Sequence, residues 1–175
     1  MHGSPSSLHP VDQLIRELIQ GGRRANEQDV QRILDRLTTV PFDPFVRLVR
    51  LRHRGLNYQG IILGARALSL DYHLVQRVIV DQQWAVGTTG AAYVADLRNA
   101  VRHPTSELAV YERRGGHVAV VLAPTAAVVV PTARGRRWLP GLLVTYSADR
   151  GIIVTGYQVS SRAAASIPSG ARWLK

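Results

Sequence analysis

Two pairs of residues in this sequence have the chemistry for proton transfer beside a phosphate. His73 and Arg77 stand four apart, so on a helix they share one face. An imidazole takes a proton from a hydroxyl, such as a ribose 2′-hydroxyl, near neutral pH. A guanidinium holds a phosphate through two parallel hydrogen bonds. Thr155 and Tyr157 stand two apart, so on a strand they project to one face. Both hydroxyls can donate to a phosphate, and the phenol ring can stack on a base. Each pair also has a plainer reading. His73 and Arg77 can be an ordinary histidine and a solvated charge, and Thr155 with Tyr157 a strand-favouring residue beside a core aromatic. Taken alone, each plainer reading is the commoner.

Other chemistries lack their residues. The sequence has no GxGxxG after a strand, no GxxxxGK[ST], no HExxH and no GxSxG. It contains no cysteine, which removes disulfides, thiolate metal sites and a cysteine nucleophile. Paired acids are scarce, so a carboxylate-bound metal is not expected and a two-carboxylate glycosidase is disfavoured. The expectation is a site without metal or cofactor.

Charge points to a partner. The formal charge is +10, and it is unevenly spread. Residues 1–96 carry eleven arginines against nine acids, a net of +2. Residues 97–175 carry ten arginines and Lys175 against Glu107, Glu112 and Asp149, a net of +8. Codon bias explains arginine over lysine, but not the scarcity of acids in the second half. Such a half attracts polyanions. The candidate nucleic-acid-binding residues are Arg113 and Arg114, Arg134, Arg136 and Arg137 with Trp138, and Arg150. Arginine beside tryptophan suits backbone contact with base stacking.

These side chains need elements to position them. Val11, Leu14, Ile15, Leu18 and Ile19 predict a helix over 11–21, stopped by Gly21 and Gly22. Asn26 is the expected N-cap of a second helix over 27–38, with Val30, Ile33, Leu34 and Leu37 on one face. Residues 45–52 suit helix or strand, and 53–67 read as a glycine-containing loop with a short element. Ser69 caps a helix over 70–81 that carries His73 and Arg77. After the turn at 83–90, Thr88 or Thr89 caps a helix over 90–102. Strands are expected at 107–112 and 117–124, with 126–131 (AAVVVP) as a continuation or a further strand. A basic loop over 132–141 leads to a hairpin of 142–147 and 151–157. The last residues, 158–175, read as mostly irregular, with Trp173 and Leu174 packing back.

Helices followed by a strand meander imply an α+β fold, with helices on one face of a four- to five-stranded antiparallel sheet. The expected organisation is a polar, disordered tail at 1–10, a helical extension at 11–65 and an α+β domain at 66–175. No window of roughly 18 apolar residues appears, and the start lacks a signal-peptide pattern. No membrane association is therefore expected, and the cytoplasm is the expected compartment.

Residues 66–175 resemble the barnase–EndoU–colicin–RelE superfamily of small RNases and toxin domains. The resemblance rests on the helix HLVQR (73–77), the stretch WAVGTT (84–89), the helix YVADLRNAVRHP (93–104), and the strands LAVYERRGGHVAVVL (108–122) and LLVTYSADRGIIVTGY (142–157). It implies metal-independent RNA cleavage, with His73 as general base or acid, Arg77 as phosphate clamp, and Thr155 and Tyr157 as phosphate and transition-state contacts. The EndoU branch adds a second histidine and a lysine. His103 and His117 are candidates for the histidine, while the only lysine is Lys175. If the chain is a toxin, an acidic antitoxin or immunity protein would suit its basic half. The rival expectation is a non-catalytic nucleic-acid-binding protein, or a structural or assembly protein of a phage or mobile element.

Overall fold

The computed structural model describes residues 8–43, 57–58, 61–62 and 69–175. The start at 1–7 and the ambiguous stretch at 45–52 lie outside the described residues. The fold is α+β, as the element order implied.

Helix α1 (Pro10–Gln20) starts where His9 accepts from the Val11 N–H and ends at Gly21, whose φ of 91° suits glycine. Helix α2 (Glu27–Thr39) begins with the expected Asn26 cap, and Asp29 completes a capping box. Arg23 donates twice to Asp29, and this pairing with the cap contact holds the Asp29 carboxyl down at about 2.

Strands β1 (Asn57–Tyr58) and β2 (Ile61–Ile62) form a small antiparallel pair. The main sheet comprises β3 (Glu107–Arg113), β4 (Gly116–Pro124), β5 (Gly141–Ser147), β6 (Ile152–Val159) and β7 (Arg172–Trp173). Its order is β6-β5-β4-β3-β7, antiparallel throughout. The β3–β4 turn has positive φ at both Arg114 (52°) and Gly115 (77°), which matches the twist of a two-residue hairpin.

Side chains from α1, α2 and α4 (Gly90–Arg102) share one hydrophobic cluster with alternate sheet residues Leu108, Val110, Ala119, Val121, Leu142 and Val144. The described residues 11–43 of the expected helical extension are thus built into the same core. Buried polar groups tie it there: the Tyr146 hydroxyl donates to Asp12 at 2.5 Å and accepts from Arg36 at 3.3 Å. Burial and the Asp12 carboxylate push the Tyr146 phenol up. At the same end Asp149 receives Arg16 and both the backbone and ring of His117. Burial opposes ionisation of Asp149, but these contacts outweigh it and hold its carboxyl low.

The opposite sheet face packs a second cluster of Ala109, Tyr111, Val120, Leu143, Val159 and Ala165. The tail, expected to be mostly irregular, supplies Ala165, Ile167 and Ala171 to this cover and ends in β7, paired with Ala109 and Val110. The expected strand at 126–131 is not formed. Helix α5 (Thr125–Val128) and a 3-10 turn at Pro131–Ala133 occupy it. Apolar content without alternation does not separate strand from helix, and prolines at 124 and 131 bound the run.

The ladder between β5 and β6 carries a bulge. Thr145 pairs with Thr155, but Tyr146 pairs with Ile153, leaving Val154 as the extra residue. A bulge reverses which side successive residues face. Ile153 therefore joins the helix-side core while Tyr157 packs against the opposite cluster.

Candidate functional site

Helix α3 (Ser69–Val75) continues into a π-helical turn at Gln76–Val80. The expected single helix over 70–81 is thus α-helical only in its first part. π-Turns are uncommon and are found often at functional sites. This one carries Arg77 and lies against β6, the first strand of the sheet.

Here the four sequence candidates come together. His73 Nδ1 lies 3.2 Å from Thr155 Oγ1. Arg77 donates from Nη2 to the same Thr155 oxygen at 3.0 Å and from Nε to the Gly156 carbonyl at 3.0 Å. Its guanidinium carbon sits 5.0 Å from the centre of the Tyr157 ring, within cation–π range. Arg77 also pairs with Asp81 at 2.6 Å, and its side chain is only 12% exposed. The His73 ring meets Phe42 and Tyr72 edge-on at 5.7 and 5.3 Å. A hydroxyl, an imidazole, a guanidinium and a phenol ring thus share one locus, although some 80 residues separate the two pairs.

Buried groups fix this locus. The outward backbone of Gly156 donates to the Tyr93 hydroxyl at 3.2 Å and accepts from it at 2.6 Å. Burial raises the Tyr93 phenol, against the opposing charge of Arg77. A side chain at position 156 would not fit: its Cβ would stand 2.3 Å from a Leu97 methyl. Two residues on, the Gln83 amide brackets the Gln158 backbone, accepting at 2.8 Å and donating at 3.0 Å. Gln158 returns a bond to the Gln83 carbonyl at 2.8 Å. Trp84 packs edge-on against Tyr93 and donates to Asp96 at 2.9 Å. Burial raises the Asp96 carboxyl.

Gln83 and Asp81 escaped sequence reasoning because nothing in the turn around them signals a partner on β6. Tyr93 lies in the expected helix over 90–102, and nothing in the sequence signals that its hydroxyl bonds to β6. Thr89, one of two expected caps, is the one that accepts from Ala92.

The arginine candidates divide. Arg150 makes a bidentate pair with buried Asp43 at 2.8 and 2.9 Å. Arg134 donates to the carbonyls of Val129 and Ala126 and stacks on Trp138 at 5.3 Å. Arg113 and Arg114 stand exposed at the β3–β4 turn, and Arg136, Arg137 and Trp138 are exposed on the loop before β5. Neither candidate for a second histidine bonds to the cluster: His117 engages Asp149 and His103 engages Thr105. Lys175 closes the chain beside Leu108 through its backbone.

Among the described residues, no three His, Cys, Asp or Glu side chains gather closely enough to hold a metal ion. No described helix is long and apolar enough to cross a membrane. Comparison with known proteins finds no matching family model, no matching curated protein and no matching solved structure.

Proposed function

We propose that this chain is a metal-independent endoribonuclease acting at the β6 cluster. One observation carries the reading: Thr155 Oγ1 is shared between the His73 imidazole and the Arg77 guanidinium, with the Tyr157 ring against that guanidinium. His73 takes the proton of a ribose 2′-hydroxyl. The freed oxygen attacks phosphorus and the P–O5′ bond breaks, giving a 2′,3′-cyclic phosphate and a 5′-oxygen that is protonated as it leaves. A guanidinium has five N–H donors, and Arg77 commits three of them to Gly156, Asp81 and Thr155. Its positive charge, held beside Thr155, faces the non-bridging oxygens in this reading, where charge develops in the transition state. Tyr157 supplies a stacking surface and a phenolic donor. RNA is the partner this reading requires. An acidic antitoxin or immunity protein is the partner that the basic half and the superfamily resemblance suggest.

A second reading, a non-catalytic nucleic-acid-binding protein, has its own support in Arg77. A side chain 12% exposed and tied to three groups also describes a structural brace. Incubating labelled total RNA in EDTA with wild type, His73→Ala and Tyr157→Phe separates the two. The enzyme reading expects cleavage that His73→Ala lowers roughly 10²- to 10⁴-fold, the usual worth of a general acid or base. Intact RNA with the wild type, or equal cleavage by His73→Ala, overturns it.

A further inference from the structure

Among the described residues, one cavity beside the π-helical turn lies outside the β6 cluster. It measures about 540 Å³, a volume typical of small-ligand sites. It opens between the segment 78–86 and the loop 130–138. Val78, Ile79 and Val86 give it apolar walls, and Gln82, Arg134 and Arg136 also line it. No aspartate or glutamate does. Two close backbone approaches join the segments: Trp84 bridges to Arg134, and Gly135 lies so near Gln82 that an added Cβ would stand 2.1 Å from its carbonyl oxygen.

Three further features distinguish this place. The same two segments hold Val80, Val86, Val130 and Trp138, four of the five large apolar side chains exposed among the described residues. Of these, Val86 lines the cavity itself. The Gln82 amide and the Arg136 guanidinium make no hydrogen bond among the described residues, so both have donors to offer. Finally, Val78 and Ile79 follow Arg77 within the same π-helical turn, so one turn of chain supplies both the cluster and the cavity wall.

We infer that this cavity receives one base of a single-stranded RNA, the neighbour of the nucleotide held at Arg77. The apolar walls take the faces of the heterocycle, the Gln82 amide pairs with its edge, and Arg136 meets its phosphate. An amide offers donor and acceptor together, which matches a base edge. The inference rests on RNA as the partner in the reading above.

The test uses a fluorescent oligonucleotide without 2′-hydroxyls, which cannot be cleaved by this route, titrated against wild type, His73→Ala, Val86→Glu and Arg136→Ala. Val86 is 73% exposed, so its replacement does not threaten folding. Val86→Glu and Arg136→Ala are expected to weaken binding about tenfold each, the loss typical of one base contact. The same proteins are assayed on total RNA. Weakened binding in the two cavity variants with no cleavage by any protein supports the base site and overturns the enzyme reading. Wild-type binding in both cavity variants overturns the base site, whether or not RNA is cut. Binding of a polyglutamate peptide but not the oligonucleotide assigns the cavity to an acidic protein and overturns it too.

Discussion

The β6 border and the loop at 130–138 present arginines of the same formal charge in opposite circumstances. Arg77 is nearly buried, pairs with Asp81 and bonds to two groups of β6. Arg136 and Arg137 stand exposed, with no side-chain hydrogen bond or ion pair among the described residues. Between these extremes lie Arg150, half exposed yet matched to Asp43, and Arg134, which keeps its charge but spends its donors holding the loop. The +8 of the second half counts Arg134, Arg136, Arg137 and Arg150 alike. The donors that can contact a polyanion are a smaller set, and pairing rather than number decides its members. Surface substitutions away from such contacts change stability little, so Arg136 and Arg137 are dispensable for folding in a way the β6 brackets are not.

The sharpest break of this comparison is Gln83→Leu. It strips two buried backbone groups of Gln158 of their partners, each worth about 1–3 kcal/mol. A loss of roughly 3 kcal/mol in urea-unfolding stability is expected. A shift below about 1 kcal/mol would mean that the bracket is incidental.

Gly135→Ala probes the join between the regions. Its Cβ meets backbone rather than a movable side chain, so overpacking of about 1–3 kcal/mol is expected. Trypsin should then cut faster at Arg136 and Arg137. An unchanged cleavage rate would show that the loop stays seated without this contact.

The smallest effect on stability belongs to Arg137→Ala, expected within about 0.5 kcal/mol of wild type. Its signature lies elsewhere. The dependence of log affinity for single-stranded RNA on log salt should become shallower by roughly 0.7, the value of one released counterion. An unaltered slope would remove Arg137 from the nucleic-acid contacts.

Local signals in the sequence carried much of the fold. Asn26 and Thr89 cap the helices they were expected to cap, because a short polar side chain before an apolar periodic run has few other uses. The hairpin of β5 and β6 followed from two strand-favouring runs flanking the turn at 148–151. The run at 126–131 was misread because its residues are apolar on every side. β7 was missed because two residues carry no periodicity. The π-turn was invisible for a different reason: it is set by what Arg77 and Gln83 reach on β6, and the order of strands in the sheet is not written locally. The site shows the same limit. His73 with Arg77, and Thr155 with Tyr157, were each readable from spacing, but Asp81, Gln83 and the hydroxyl of Tyr93 take their roles only once β6 is the outermost strand. The bulge at Val154, which decides what Thr155 faces, leaves no mark in the sequence.

The brackets on Gly156 and Gln158 also govern how molecules of this protein meet one another. An outermost strand with open amides and carbonyls is a template for a strand of another chain, and from there for fibre growth. On β6 the outward groups of both residues are already occupied by Tyr93, Arg77 and Gln83. On the other border β7 is only two residues long. The β6 border therefore offers these two residues to no further strand, and the β7 border offers an incoming strand only a short guide.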